Sequence, residues 1–124
     1  MTVLKSKPSF HKKGWGHELW ICNSEKYCGK LLFFKKGKKC SYHYHKLKDE
    51  VFYLQSGKII VRWNIDSDEF KGDEPYHRLI LRPGNTFHVK PGMRHQMEAL
   101  EDSELFEFST QHFEEDSYRV IKGD

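Results

Sequence analysis

Two histidines one residue apart, a glutamate five residues on and a third histidine about fifty residues downstream could do chemistry together. His43, His45 and Glu50 stand in the run G-K-K-C-S-Y-H-Y-H-K-L-K-D-E-V-F-Y-L-Q-S-G from Gly37 to Gly57, and His95 follows Pro91-Gly92-Met93-Arg94. Side chains alternate faces along a strand, so His43 and His45 point the same way only if the backbone there is extended. A short polar turn over Lys46–Asp49 then returns Glu50 to the same face on the neighbouring strand. Imidazoles and a carboxylate converging on one point make a site for a divalent metal, and this ligand set suits Zn, Fe(II), Mn, Ni or Co without choosing among them. Four protein ligands on an octahedral ion leave two positions open, an arrangement suited to catalysis rather than to a closed structural site.

Such a site needs a rigid wall, and the rest of the chain reads as short strands divided by turns. Expected strands are Glu18–Cys22, Tyr27–Phe34, Lys39–Tyr44, Glu50–Gln55, Ile59–Asn64, Tyr76–Leu81, Thr86–Val89, His95–Leu100 and Glu104–Thr110, with Tyr118–Ile121 as a further edge. Turns fall at Ser56-Gly57-Lys58, Arg82-Pro83-Gly84, Lys90-Pro91-Gly92 and Glu101-Asp102-Ser103, and Asp66–Glu74 reads as a polar loop. Closely spaced strands without an amphipathic helix argue an all-β fold, an antiparallel barrel or double-sheet jelly roll.

The 124 residues suffice for one domain spanning residues 1–124, and 15% aromatic content can fill a small core. Neither a stretch of roughly 20 apolar residues nor an apolar N-terminal leader is present, so a soluble cytoplasmic protein that does not enter membranes is expected. Cys22, Cys28 and Cys40 form no C-x-x-C pair and are expected as reduced thiols. In a regular strand Cys40 would point away from His43. Residues 1–62 hold 14 Lys/Arg against 4 Asp/Glu, and residues 63–124 hold 7 against 14. In a folded β domain both halves share one surface, and the lysines at 35, 36, 38 and 39 flank a turn; nucleic-acid binding is not expected.

The Gly37–Gly57 run matches the first motif of the cupin superfamily, G-x5-H-x-H-x4-E-x6-G, at every fixed position. Gly84–Ala99 resembles the second motif: Gly92 and His95 match, while the motif's proline falls on Lys90 and its final asparagine on Ala99. The resemblance implies a double-stranded β-helix, the cupin barrel, with His43, His45, Glu50 and His95 as metal ligands. Within cupins the chain is similar to the mannose-6-phosphate isomerase type. Lys13-Gly14-Trp15-Gly16-His17-Glu18 resembles that group's P-W-G-x-x-E, and E-L-F-E-F-S-T-Q-H-F-E-E-D-S-Y-R-V resembles its closing block, with Ser109 and Gln111 departing from it.

This resemblance implies an isomerase of a sugar or sugar phosphate, working through an enediol, with the metal holding the developing oxyanion. The base would be Glu107, whose parity opposes Phe106 and Phe108, or a metal-bound hydroxide. Arg119 matches the group's closing arginine and is expected as a catalytic cation, with Lys90, Arg94 and His112 binding substrate, a phosphate needing such cations; the bland reading of Lys90, Arg94 and Arg119 is a surface charge. An Fe(II) dioxygenase and a non-catalytic sugar-binding cupin are the rival readings. A homodimer is expected, since small cupins cover sheet edges by pairing, with Trp15–Ile21 as the contact.

Overall fold

Inward and outward residues alternate along most of this chain, and the alternation builds eleven strands among the described residues of a computed structural model, 4–65 and 77–124. They are β1 (Ser9–Lys13), β2 (Gly16–Asn23), β3 (Cys28–Phe34), β4 (Tyr42–Tyr44), β5 (Glu50–Ser56), β6 (Ile59–Asn64), β7 (His77–Leu81), β8 (Thr86–Val89), β9 (Arg94–Ala99), β10 (Ser103–Ser109) and β11 (Tyr118–Ile121). The loop expected over Asp66–Glu74, and Tyr76 at the head of its strand, lie outside the described residues.

One sheet runs β1-β2-β3-β10-β5-β8 and the other β11-β4-β9-β6-β7. Every named strand pair is antiparallel. Leu32, Phe34, Phe52, Leu54 and Leu105 from the first sheet meet Ile59, Val61, Leu81, Met97 and Ala99 from the second in one buried cluster. This is the all-β jelly roll the strand spacing implies. No helix among the described residues is long and apolar enough to cross a membrane.

The inner face is divided along its length. On β3 the inward positions run Phe34, Leu32, then Lys30; on β10 Leu105, then Glu107; on β5 Leu54, Phe52, then Glu50. Because the strands are antiparallel and Glu107 sits in register with both Lys30 and Phe52, the charged positions gather at one end of the barrel. The apolar end supplies the burial that drives folding; the charged end is available for chemistry.

Glycine frames this arrangement at Gly57, where φ is +92° and an added Cβ would fall 2.2 Å from Ser103 Oγ. A side chain there would have to push apart the β5–β6 turn and the start of β10.

Three expectations are corrected. β1 was not expected: S-F-H-K-K carries no apolar alternation, and it pairs with β2 through Phe10–His17 and His11–Trp20 ring contacts instead. The strand over Lys39–Tyr44 shrinks to β4, Lys39 making only a single bridge to Glu98, so strand parity does not govern Cys40; that residue is buried, lines the same cavity as His43, and accepts the Met97 N–H on its sulfur. Trp15 is not a dimer contact, being 3% exposed and stacked on Phe34 with ring centroids 4.0 Å apart.

Candidate metal centre and its cavity

The second sheet supplies the histidines. His43 on β4 is the register partner of His95 on β9, and His45 lies just beyond the end of β4. The turn feeding β9 is tied back to the same place, since Gly92 N–H donates to the His45 carbonyl at 2.6 Å. Glu50 opens β5 on the opposite sheet. One ring nitrogen from each of His43, His45 and His95 lies within 4.8 Å of the other two. Glu50 Oε2 closes on two of them, 3.5 Å from His45 Nε2 and 3.4 Å from His95 Nε2. Ligands held about 2.1 Å from one ion stand about 3–4 Å apart, so the two Glu50 separations fit a shared cation.

Hydrogen bonding fixes which nitrogens face inward. Each Nδ1–H donates to a main-chain carbonyl: His43 to Ser41 at 2.9 Å, His45 to Asp116 at 2.5 Å and His95 to Met93 at 3.1 Å. That leaves each Nε2 lone pair as the free ligand atom, the outer support expected of metal-binding histidines. Burial, then the neighbouring His45, pushes the His43 imidazole down to about 3. Burial and His43 hold His95 well below the ordinary range, and burial and Lys48 lower His45. The rings are therefore neutral at pH 7. Glu50 Oε2 is buried and has no hydrogen-bond partner. Three inward imidazole lone pairs and a carboxyl oxygen without a hydrogen-bond partner thus crowd one point. Such a cluster costs folding energy unless a cation fills it, so the residues present fit a divalent metal.

Beside the cluster lies a cavity of about 190 Å³ whose other wall is ionic. Lys48 Nζ is 2.6 Å from Glu107 Oε2 and 3.6 Å from Glu50 Oε1, and 3.1 Å from His112 Nδ1. Burial works against the Lys48 charge, but Glu107 and Glu50 outweigh it and raise its affinity for the proton. Burial would lift Glu107 as well; Lys48, then Lys30, reverse that and hold it down to about 2. Glu50 moves the other way, pushed up to about 8 by burial and by Glu107, against the pull of Lys48. A bound cation would bring it down again. A second ion pair, Lys30 with Glu18 at 3.6 Å, lines the same cavity under the Trp20 ring.

Among the residues singled out from sequence, His43, His45, Glu50, His95, Glu107, His112 and Arg119 all border this cavity. Glu107 faces inward as its parity indicates, while Phe108 is 56% exposed. Lys90 and Arg94 do not border it. Lys90 is exposed on its turn; Arg94, one residue from His95, takes the other face of β9 and lies over the Tyr44 ring at 4.3 Å. The sequence reading missed Lys48, Lys30, Glu18 and Trp20. A signal was there: Lys48 is two residues before Glu50, and Lys30 shares the inward parity of Leu32 and Phe34.

A D-lyxose/D-mannose isomerase from Thermosediminibacter oceani is 26% identical over 111 residues, covering 77% of this chain and 61% of that protein. The chain thus spans less than two thirds of this relative's length. Among solved structures, the capsular polysaccharide assembling protein CapF from Staphylococcus aureus superposes with a TM-score of 0.77 at 16% identity, covering 95% of this chain and 35% of that one. KdgF from Halomonas sp. gives 0.63 at 19% identity, covering 80% and 81%. Oxalate decarboxylase from Bacillus subtilis gives 0.75 at 15% identity, covering 97% and 33%. At these identities the structures share a fold with this chain and no more. The cupin domain family matches residues 30–108, from Lys30 on β3 to Phe108 on β10 and across the whole histidine cluster, and the chain belongs to that family.

Proposed function

We propose that this cupin is a metal-dependent sugar isomerase with His43, His45, Glu50 and His95 as ligands and Glu107 as the proton-transferring base. The observation that carries the reading is the buried Lys48–Glu107 pair across a small cavity from the histidine cluster. A divalent ion bound there would polarise the sugar's carbonyl and hydroxyl oxygens. Lys48 keeps Glu107 ionised at neutral pH, so Glu107 enters as a proton acceptor, taking a proton from one carbon and returning it to its neighbour. The same pairing weakens Glu107 as a base until substrate draws Lys48 Nζ toward its own oxygen. Both Lys48 and Ser109 contact Glu107 through Oε2, so the other oxygen is the one to meet the substrate proton.

The cavity favours an unphosphorylated sugar. Lys48 and Lys30 are each committed to a carboxylate, and Arg119 and Lys13 share the lining with Glu114 and Asp124. A phosphate dianion would have to displace one of these partners. The relative's activity on D-lyxose and D-mannose points the same way. A Bacillus subtilis oxalate decarboxylase carries Mn(II) centres, which puts Mn among the ions to try first. The test is to load the protein separately with Mn, Fe(II), Co, Ni and Zn, offer D-lyxose, D-mannose and mannose 6-phosphate, and follow aldose–ketose conversion by NMR. Conversion of the free sugars is expected. Turnover of the phosphate alone would reverse the substrate assignment, and O₂ consumption without isomerisation would replace the isomerase by a dioxygenase.

We also place self-association on the outer face of the larger sheet, where Ile21, Tyr27 and Phe108 are 50%, 62% and 56% exposed around an apolar groove. Exposed apolar patches of this kind mark contacts between proteins. Light scattering after size exclusion is expected to give a dimer that Phe108→Asp dissociates; a wild-type monomer at micromolar concentration rejects the assignment.

A further inference from the structure

Asp116 is 4% exposed, yet it lies in an irregular segment between β10 and β11. Its carboxylate accepts main-chain N–H groups from three consecutive residues. Oδ1 takes Lys46 at 2.9 Å and Leu47 at 3.2 Å; Oδ2 takes Leu47 at 3.2 Å and Lys48 at 3.1 Å. Successive N–H groups converging in this way form a concave anion site, and here the chain supplies its own anion. The Asp116 carbonyl separately accepts His45 Nδ1–H at 2.5 Å. One residue therefore holds both the His45 ring and the turn that delivers Lys48 and Glu50.

The segment carrying Asp116 is itself anchored. Asn23 bonds the His112 main chain twice, Oδ1 accepting its N–H at 2.8 Å and Nδ2 donating to its carbonyl at 3.0 Å. Asp49 and Thr110 exchange two further bonds at 3.0 Å each. The segment carrying Asp116 is thus anchored to β2 through Asn23 and to the turn before β5 through Asp49.

We infer that Asp116 is the positioning residue of this site, setting the His45 ring through its carbonyl and the Lys46–Glu50 turn through its carboxylate. The inference rests on the reading of the histidine cluster as a metal site. Asn has nearly the same shape, but it turns N–H donors toward N–H donors, so it loosens the turn without opening a large void.

The test is metal affinity, measured by chelator competition with Zn and with Mn on folded full-length protein. Asp116→Asn keeps the carbonyl bond to His45 but loosens the turn that delivers Glu50, and is expected to raise the dissociation constant about 10-fold, the lower end of the cost of disturbed outer-shell support. Glu115→Gln, at an exposed neighbour, should leave it unchanged. A residue that only stabilises the fold would lower the melting temperature and leave the affinity of the folded protein as it was; that result overturns the inference while the metal reading stands. Wild-type protein that binds no metal overturns both. Should Asp116→Asn fail to fold, hydrogen exchange on the wild type decides. Metal loading is expected to slow exchange at the amides of Lys46, Leu47 and Lys48 and across residues 113–118, and unchanged exchange there rejects the role.

Discussion

Replacing His95 with alanine is expected to abolish both metal binding and isomerisation, with an unusually small cost to the metal-free fold. His95 is buried at 2% exposure, and deletion of a buried ring ordinarily costs several kcal/mol. Here the ring also presents a lone pair to Glu50 Oε2 at 3.4 Å and sits beside the His43 ring with centroids 4.3 Å apart. Its removal takes one polar ring out of a buried cluster that lacks the cation it is built around. The metal-free variant should therefore lose less stability than the buried area alone suggests. Saturating metal at about 100 times its dissociation constant adds about 2.7 kcal/mol to the wild type, an upward melting shift of about 10 °C for a domain this size. His95→Ala should lose that shift and at least about 100-fold in turnover, more than the loss of an outer-shell partner alone. Differential scanning calorimetry with and without metal measures the first, and NMR turnover the second. An undiminished metal-dependent shift in the variant would remove His95 from the ligand set.

The convergence of the four proposed ligands was legible because they obey local rules. The H-x-H spacing needs only strand alternation, Glu50 needs one turn, and His95 follows a turn marked by Pro91-Gly92. Glu107 was legible for the same reason, with the unusual twist that its strand turns aromatics outward and a carboxylate inward. Lys48 and Lys30 obey the same parity, but a lysine is taken for a surface residue unless its partner is known, and their partners lie on other strands. Glu107 meets Lys30 only through the β3–β10 register, and Lys48 only because the turn before β5 folds over β10. Arg94 shows the converse. Alternation alone separates it from His95 by one face, and its place in the second motif obscured this. Nothing local marked Asp116 for its positioning role, although it lies close in sequence to Arg119, since its contacts are to main-chain atoms about 70 residues away in sequence.

The second large effect concerns the Lys48–Glu107 pair, where stability and activity should separate. Glu107→Gln leaves the Lys48 cation at 3% exposure with only Glu50 at 3.6 Å to balance it. Breaking a buried pair from one side costs about 3–5 kcal/mol, whereas replacing both charges is often neutral or stabilising. Lys48→Met alone should cost a similar amount, and Lys48→Met/Glu107→Gln distinctly less than the sum of the two. Additive costs in this cycle would show that the two groups are not coupled. Turnover should not follow stability: Glu107→Gln and the double variant should both fall about 100- to 10,000-fold with metal retained, the range for losing a positioned base. Undiminished turnover in Glu107→Gln would assign the base elsewhere. Acid provides an independent check. Glu107 is held down to about 2 from an ordinary 4.5, so its contribution is complete above about pH 4.5 and lost as pH falls through 2. The stability gap between wild type and Glu107→Gln should accordingly close across that window, because protonating the wild-type carboxyl makes it resemble the amide. Denaturant titrations at intervals between pH 5 and pH 2 measure the gap, and a constant gap would mean that the charge of Glu107 is not what binds β10 to the turn before β5.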